Sequence, residues 1–457
     1  MKKYKFFNTP QQVPYIETEN RVIKTPIPAP GTYDFIRRIQ AVESRSMQGQ
    51  IPIVWDKAED FSVYDIAGNK FIDFTSTIFV ANIGHSNKSI LSYFNSLANK
   101  PLLNTYAYIN SERVEYIENL ISFAGKPFEK AFLMSAGTEA TEAALKLMRM
   151  HALKINKRRP GIICIEGNWH GRTMGAQSMS SNREQKQWIG FDDPNIFHIP
   201  FPYPWTIKDV DPVVFLESSL DDLFVKNNIN PSKDIAGFML ETFQGWGAVF
   251  YPKTYVKAIE KFCKKHNLLL TFDEMQAGFS RTGKRFGFQH YDVSPDLICT
   301  GKGMGGGVPV SGVLGKAEVM DLPDVGNMSS THSANPLVAK IANISLNEII
   351  DKNLTEMSRV KGELLHSGLK KIQAKYPKLI SYILGKGLIA AMLFKDPKSD
   401  APNTYFPSLL VEKCMQKGLL LVHTGRESIK FGPPLTITNE AIEEALLVID
   451  ESIGELL

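Results

Sequence analysis

The chain has 457 residues, of which 43% are hydrophobic and 22% are charged, so it has the composition of an ordinary folded protein and is too long for one small domain. Its 52 basic and 48 acidic residues give a net charge of +4, with no basic cluster dense enough for nucleic-acid binding. No segment approaches the roughly 18 apolar residues of a membrane span, and no apolar run follows the first lysines, so we expect neither a membrane anchor nor a signal peptide.

The cysteines are few and far apart in the sequence, and each lies among apolar residues. This pattern predicts reduced thiols in the core of a cytoplasmic protein, not disulfides or a metal site. The four positions are Cys164, Cys263, Cys299 and Cys414.

The first 49 residues are rich in proline and polar groups and predict an extended arm with one helical patch near Tyr33–Glu43. From residue 53 to residue 74, apolar and polar residues alternate around a Gly-Asn turn, which predicts a small antiparallel meander. Between residues 86 and 336, strands and helices alternate, as in a parallel sheet with crossover helices. We therefore predict an N-terminal arm and part of a small domain at 1–85, a large domain at 86–336 and the rest of the small domain at 337–457.

The first clear strand of the large domain is Lys130–Met134, and Ser135-Ala136-Gly137-Thr138 then opens a helix predicted at Glu139–His151. A strand, a glycine turn and a helix start form an anion-binding arrangement, because backbone N–H groups and the helix dipole face the same point. An ordinary helix cap would show the same pattern. Two more buried strands are predicted at Ile162–Glu166 and Gly237–Glu241.

The C-terminal region has the pattern of a smaller α/β domain. It begins with a long helix and a charged helix and continues with a meander, a strand and a final helix. These elements are predicted at Val338–Asp351, Leu354–Lys375, 379–394, Gly418–Val422 and from Asn439 onward.

Two buried strands of the large domain are followed by chemically distinctive residues. The run Leu268–Phe272 ends on Asp273, and the run Asp296–Thr300 leads to Lys302 in a bed of glycines, 29 positions further on. Open α/β sheets bind ligands at such strand ends. An aspartate opposite a ring nitrogen and a lysine able to form a Schiff base are what pyridoxal phosphate requires.

Other interpretations of this glycine-rich stretch fit less well. Gly301–Gly306 satisfies the spacing GxGxxG, but Val308-Pro309-Val310 follows where a dinucleotide site needs a helix. A phosphate-binding loop of the Walker type fails because Gly303 stands where serine or threonine should follow the lysine. Lys302 as a solvated surface lysine, and Asp273 as a helix cap or metal ligand, remain open, although no histidine or cysteine stands at ligand spacing.

The stretch FDEMQAGFSRTGK, followed by PDLICTGKGMGGGVPVSGVLG, resembles the signature of the class III (ω-amino-acid) pyridoxal-phosphate aminotransferases. The resemblance implies fold type I, an α/β fold with a large, mostly parallel sheet domain with helices on both faces and a smaller α/β domain built from both termini. It implies transfer of an amino group from a primary amine or ω-amino acid to a 2-oxo acid or other carbonyl. The alternative on the same scaffold is a racemase, an epimerase or an amine phospho-lyase.

The resemblance also assigns residues to the cofactor. Lys302 forms the Schiff base and moves the proton, Asp273 holds the ring nitrogen, and Glu241 supports Asp273. The remaining cofactor contacts are Gly137 and Thr138 at the phosphate, Trp169 and His170 in a WHGRT motif, Met275 on the ring face opposite Trp169, Gln276 at the ring hydroxyl, and Thr331 at the phosphate of a neighbouring subunit. The role of Thr331 implies a homodimer with shared active sites.

The positions that resemble substrate contacts depart from the common family pattern. Trp246 stands where many members carry a glutamate, and Lys430 stands where they carry its arginine partner. Lysine lacks the planar fork that binds a carboxylate through two hydrogen bonds, although Arg426 could compensate. Ile78 and Phe79 give an apolar pocket wall, and Arg172 either binds the distal carboxylate of the substrate or forms a structural ion pair. The amino partner therefore need not be glutamate, and the acceptor is left open between 2-oxoglutarate and pyruvate.

Overall fold

The computed structural model describes residues 4–49, 51–333 and 335–457. The strands follow one another along the chain as β1 (Ile16–Glu17), β2 (Val22–Ile23), β3 (Trp55–Glu59), β4 (Ser62–Asp65), β5 (Lys70–Asp73), β6 (Lys130–Met134), β7 (Gly161–Ile165), β8 (Ile196–Ile199), β9 (Ile235–Glu241), β10 (Phe243–Gln244), β11 (Val249–Phe250), β12 (Leu269–Asp273), β13 (Leu297–Thr300), β14 (Ser311–Gly315), β15 (Ile380–Lys386), β16 (Ile389–Phe394), β17 (Leu419–Leu420), β18 (Val422–His423) and β19 (Ser428–Phe431).

The helical segments are α1 (Thr32–Val42), α2 (Ser76–Phe79), α3 (Lys88–Ser96), α4 (Ser111–Ala124), α5 (Gly137–Lys154), α6 (Met174–Met179), α7 (Arg183–Lys186), α8 (Pro212–Asn227), α9 (Pro231–Asp234), α10 (Lys253–His266), α11 (Ala317–Met320), α12 (Pro336–Asp351), α13 (Leu354–Lys375), α14 (Phe406–Gln416) and α15 (Asn439–Leu456). None of the helices within the described residues is long and apolar enough to cross a membrane.

The chain divides into two compact units. The smaller unit contains Met1–Leu91, Trp246–Ala248 and Glu356–Leu457, and the larger unit contains Ser92–Gly245 and Val249–Thr355. The smaller unit is thus built from both ends of the chain.

The larger unit is organised around a seven-stranded sheet with the order β6-β14-β13-β12-β9-β7-β8. Neighbours from β13 to β8 pair in parallel, and β14 alone runs against both of its neighbours. Every residue of β7, β9, β12, β13 and β14 is buried, which explains why these strands are continuous apolar runs and do not alternate. Helix α5 packs on this sheet through a buried cluster that includes Ala144, Leu147, Met148, Met239 and Val313.

The smaller unit holds two sheets. In the first, β1-β2-β5-β4-β3 form an antiparallel path and β17 adds to β5 in parallel. In the second, β15, β16, β19 and β18 form an antiparallel sheet with a core of fully buried β16. The predicted meander at 53–74 corresponds to β3, β4 and β5.

Two predicted elements differ from the observed ones. Helix α5 begins at Gly137 and not at Glu139, because the Glu139 carboxylate accepts hydrogen bonds from the N–H groups of Ser135 (2.8 Å) and Ala136 (2.9 Å) and so caps the turn before it. The single strand predicted at Gly418–Val422 is wrong: it is two short strands, since β17 pairs with β5 whereas β18 pairs with β19. Helix α12 belongs to the larger compact unit, where Asn119 on α4 donates to Asn343 at 2.9 Å.

The four cysteines are buried, and none of them forms a disulfide within the described residues. Burial raises the pKa of each thiol, so all four are protonated at neutral pH.

Candidate active site

Three adjacent strands of the larger unit bring the predicted cofactor residues to one edge of the sheet. Strand β9 ends at Glu241 and β12 ends at Asp273, and these two residues are paired in register. On the other side of β12, Asp273 pairs with Cys299 of β13, and Lys302 follows two residues after the end of β13. The three strands are parallel, so their carboxyl ends meet at the same edge of the sheet. Glu241, Asp273 and Lys302 therefore lie at this edge.

Lys302 occupies a strained and desolvated position. Its backbone φ is +45°, in the left-handed region, and it lies between Gly301 and Gly303. Burial lowers the pKa of its amine, while the charges of Asp273 and Glu241 raise it, and burial is the larger effect. The amine therefore loses its proton more readily than an exposed lysine, as a nucleophile and base must.

Asp273 is held in place from two sides. His170 Nδ1 lies 2.9 Å from Asp273 Oδ2, and the Met275 N–H donates to Asp273 Oδ1 at 3.0 Å. His170 is 3% exposed, and its other ring nitrogen has no hydrogen-bond partner within the described residues. The histidine thus orients the carboxylate that the sequence assigns to the ring nitrogen.

Glu241 is a buried carboxyl group with an altered acidity. Its oxygens accept from the Trp169 N–H at 3.0 Å and from Gln276 Nε2 at 3.3 Å. Burial and the neighbouring Asp273 charge raise the pKa of Glu241 to about 7. Glu241 is therefore linked to two of the predicted ring contacts as well as to Asp273.

The predicted phosphate turn lies at the start of α5, where the N-terminal end of an 18-residue helix favours an anion. Thr138 Oγ1 lies 2.6 Å from Thr173 Oγ1. Gly137 and Gly301 both lie against Met275, because a Cβ added to them would stand 2.8 Å and 2.6 Å from its sulfur. Met275 therefore packs beneath the turn and the lysine loop together.

Sequence analysis missed Glu142 in this region. Its carboxylate accepts from the Thr173 hydroxyl at 2.6 Å and from the Gly175 N–H at 2.8 Å, so it fixes the loop after the WHGRT motif. The signal available in the sequence was its position one helical turn after Thr138, on the same helix face.

Arg172 stacks on Trp169, with its guanidinium carbon 4.6 Å from the ring centroid. Such a cation–π contact orients the guanidinium without neutralising it. Arg172 is exposed, and no carboxylate within the described residues forms an ion pair with it. The geometry therefore gives no support to the structural ion pair that the sequence left open.

The smaller unit holds the predicted apolar wall in an unusual turn. Ser76, Thr77, Ile78 and Phe79 all have positive φ, between 44° and 71°, so α2 is a left-handed turn. Ile78 is 46% exposed, whereas the ring of Phe79 is buried, packs against Gly432 and lies 4.7 Å from Lys430 Nζ. L-residues pay about 1–2 kcal/mol each for this conformation, so the contacts around the turn must offset several kcal/mol.

Trp246 and Arg426, the other predicted substrate residues of the smaller unit, stack directly on one another. The Arg426 guanidinium carbon lies 3.7 Å from the Trp246 ring centroid, and Arg426 Nη2 lies 3.3 Å from Glu427 Oε1. Ser428 Oγ also donates to the Trp246 carbonyl at 2.8 Å. Trp246 is therefore held by a cation–π contact with Arg426 and by the hydrogen bond from Ser428.

Thr331 is the one predicted cofactor residue that stands apart in the single chain. It is exposed, and within the described residues no hydrogen bond or ion pair joins it to the Lys302 region. Its neighbour Ser329 lies 3.1 Å from the Tyr106 hydroxyl.

The sheet order, the lysine after one strand and the acids at the ends of two others define a pyridoxal phosphate enzyme of fold type I. The residues fit the cofactor: an amine with a lowered pKa, an aspartate oriented by a histidine, and the N-terminal end of an 18-residue helix, which favours an anion such as a phosphate. The family model described as aminotransferase class-III matches residues 44–453, and the chain belongs to that family.

The chain is similar to named aminotransferases along most of its length. It is 32% identical over 402 residues to the mitochondrial acetylornithine aminotransferase of Candida glabrata, which is 86% of this chain and 88% of that protein. It is 32% identical over 408 residues to the acetylornithine aminotransferase of Clostridium acetobutylicum, or 89% and 97% of the two chains. A solved Toxoplasma gondii ornithine aminotransferase, with pyridoxal phosphate at partial occupancy in its active site, matches with a TM-score of 0.79 and 28% identity, over 92% of this chain and 93% of that chain.

These comparisons confirm four predictions from the sequence. The chain is a class III aminotransferase, it has the α/β fold of that family, it catalyses amino-group transfer, and its cofactor is pyridoxal phosphate.

Proposed function

We propose that this aminotransferase uses Lys302 as the base that moves the proton, and that its donor is an ω-amino acid or related molecule with a terminal primary amine. The observation that carries the proposal is the buried group formed by Lys302, Asp273, Glu241 and His170 at one sheet edge. The similarity to acetylornithine and ornithine aminotransferases supports the donor class.

Pyridoxal phosphate, when bound, supplies an aldehyde that condenses with amines and a ring that withdraws electrons from the donor carbon. Lys302 would hold the aldehyde and Asp273 the ring nitrogen. The other proposed contacts are Gln276 at the ring hydroxyl, Trp169 and Met275 on the two faces, His170 behind Asp273, Gly137 and Thr138 at the phosphate, and Thr331 of a second copy at the same phosphate.

Lys302 takes a proton from the donor carbon and later returns it, because burial lowers the pKa of its amine and so favours the neutral form more than in an exposed lysine. Asp273 would face the ring nitrogen of the cofactor, and His170 orients that carboxylate through the 2.9 Å contact. Glu241, with a pKa of about 7, sets how much negative charge surrounds the amine. These residues orient groups and move protons at Lys302 Nζ.

The donor's distal carboxylate is assigned to Arg172, which the stack on Trp169 holds without neutralising it. The assignments of Ile78, Phe79, Trp246, Arg426 and Lys430 to substrate rest on the sequence resemblance. Because Trp246 and Lys430 stand where the resembled pattern has a glutamate and its arginine partner, we propose that the acceptor is a small 2-oxo acid and is not restricted to 2-oxoglutarate. We further propose a cytoplasmic homodimer, in keeping with four buried free thiols.

A half-reaction screen tests this proposal. The purified yellow enzyme is mixed, without acceptor, with ornithine, N-acetylornithine or 4-aminobutyrate, and the visible band of the bound cofactor is followed. We expect an ω-amino donor to remove the band with one carbonyl product per active site, and pyruvate or 2-oxoglutarate to restore it. Racemised donor, or released phosphate without consumption of an oxo acid, would instead identify a racemase or a phospho-lyase.

A further inference from the structure

The larger unit contains a cavity that the proposed reaction does not use. It has a volume of about 590 Å³, within the range of small-molecule sites. Its lining includes neither the buried residues Lys302, Asp273, Glu241 and His170 nor the phosphate turn at Gly137 and Thr138. The lining residues come from the residue after β7, the end of α6 and the segment after it, helix α7, the segment 189–193, strand β8 and the last turn of α8.

The floor of the cavity is strand β8, the last strand of the seven-stranded sheet. Ile196, Phe197 and His198 of this strand all line it. His198 Nε2 lies 3.0 Å from the Met179 carbonyl, and burial lowers the pKa of His198 to about 4. The histidine is therefore neutral at physiological pH and the floor carries no charge.

The walls carry three cations from two helices. Arg183 and Lys186 lie three residues apart on α7, hence on one side of it, and Lys226 comes from α8. Within the described residues none of the three forms an ion pair. Lys186 is partly buried and donates to the carbonyls of Ser178 (3.3 Å) and Ser180 (3.1 Å), which fixes its ammonium group at the cavity wall.

The acidic residues of the cavity balance these cations only in part. Asp193 is already neutralised by Arg149, whose Nη2 lies 2.8 Å from its Oδ2. Glu166 and Asp192 then face three unpaired cations. The cavity therefore has an excess of one positive charge, and a positive excess in a cleft raises the local concentration of anions.

Apolar side chains complete the lining. Ile189 and Leu223 are partly or fully buried, and Phe191 is 60% exposed at the cavity. An exposed phenylalanine beside arginine and lysine offers a face for an apolar group next to partners for a negative one.

We infer that this cavity binds a small organic anion, a carboxylate or a phosphate ester that carries an apolar or aromatic body. The anionic group lies between Arg183, Lys186 and Lys226, and the apolar body lies on Phe191. This site goes beyond the proposed function, because none of its residues takes part in the proposed reaction. Binding of an anion here can be measured without turnover.

Calorimetric titration of the holoenzyme tests the inference. Benzoate and phenyl phosphate serve as probes for the two anionic groups, and benzamide serves as the uncharged match for benzoate. We expect at least one of the two anions to bind at millimolar concentration or below, and benzamide to bind at least tenfold more weakly than benzoate. In the variant Arg183→Ala/Lys226→Ala, the dissociation constant of the bound anion should rise at least tenfold, whereas Lys208→Ala, an exposed lysine of the same unit outside the cavity, should leave it unchanged.

Three results would overturn the inference. They are binding of neither anion to the holoenzyme, benzoate binding that benzamide matches in affinity, and equal affinity of wild type and the double variant for the anion that binds. In the last case the anion binds elsewhere, and its displacement by an amine donor would place it at the Lys302 site. Stronger binding of phenyl phosphate than of benzoate assigns the site to phosphate esters, and the reverse order assigns it to carboxylates. Both Arg183 and Lys226 are exposed, so their removal should not prevent folding.

Discussion

At the scale of single residues, the amine of Lys302 is governed by opposing influences. Burial favours its neutral form, while the carboxylates of Asp273 and Glu241 favour the charged form. Glu241 itself titrates near pH 7, so the balance around the lysine changes with pH in the physiological range. These residues explain why one lysine among many is suited to chemistry.

Replacing Lys302 with alanine should reduce turnover by roughly a thousandfold or more, because both the covalent attachment point and the base are lost. The unfolding temperature should change little or rise. Steady-state assays with the donor found in the half-reaction screen give the measurement. Lys284→Ala, an exposed lysine in the same motif, is the matched control and should retain wild-type activity. Substantial activity in Lys302→Ala would contradict the assignment.

Glu241 should produce a break near pH 7 in the pH profile of kcat. Below its pKa of about 7 the carboxyl is neutral, and above that pKa its charge raises the pKa of Lys302 and leaves less neutral amine. We therefore expect kcat to rise less steeply with pH above about 7 in wild type than in Glu241→Gln. Glu241→Asp, which keeps an ionisable group, should retain a break. A profile of Glu241→Gln that matches wild type would show that another group causes it.

At the scale of elements, the sequence predicts the strands that matter most for the site. Strands β9, β12 and β13 are continuous apolar runs that stop at polar residues. Both their burial and the position of their functional ends can therefore be predicted from the sequence. The left-handed turn Ser76–Phe79 is not visible, because four L-residues adopt that conformation only under tertiary contacts such as the hydrogen bond from Ser76 Oγ to the Gly432 carbonyl, 2.7 Å long. The change of partner between β17 and β18 is hidden for the same reason: an apolar run does not record which strand it pairs with.

The same limit applies to side chains that act on other side chains. The roles of Lys302 and Asp273 follow from residue type and position, whereas Glu142 and the Trp246–Arg426 stack depend on distances across the fold. The cavity beside β8 is lined by α7, α8 and an edge strand, which are far apart in the sequence, so no sequence motif predicts it.

Gly432 should be essential for the left-handed turn. A Cβ at this position would overlap the ring of Phe79, so Gly432→Ala forces the ring or the turn to move. We expect a loss of roughly 1–3 kcal/mol of stability, seen as a lower unfolding temperature. Gly454→Ala in helix α15 has its nearest neighbour, the Tyr376 hydroxyl, at 3.4 Å and should be neutral or stabilising. Equal unfolding temperatures for wild type and Gly432→Ala would contradict the packing described for Phe79.

At the scale of the whole molecule, the larger unit exposes several large apolar side chains on one segment. In the larger unit Tyr108 and Ile109 are each 81% exposed, and Leu103 is 59% exposed. They belong to the segment that contacts Ser329, close in sequence to Thr331. This arrangement supports the proposal that Thr331 acts on the phosphate of a neighbouring subunit.

The homodimer should be measurable directly. Light scattering during size-exclusion chromatography should give twice the 51.2 kDa of one chain. Thr331→Ala should weaken cofactor retention during dialysis while leaving the dimer mass unchanged. Ser294→Ala, at an exposed serine of the larger unit remote in sequence, controls for handling. A fully active monomer would contradict the shared site.

The backbone at Lys302 has one more consequence. A lysine with φ of +45° costs about 1–2 kcal/mol relative to glycine in the same conformation. In the chain freed of cofactor, Lys302→Gly should therefore unfold at a higher temperature than the native sequence, and it should show no turnover when cofactor is added back. Directed evolution for thermal stability alone would therefore favour variants that lack this lysine and are inactive. A screen for more stable variants has to measure product formation in every round.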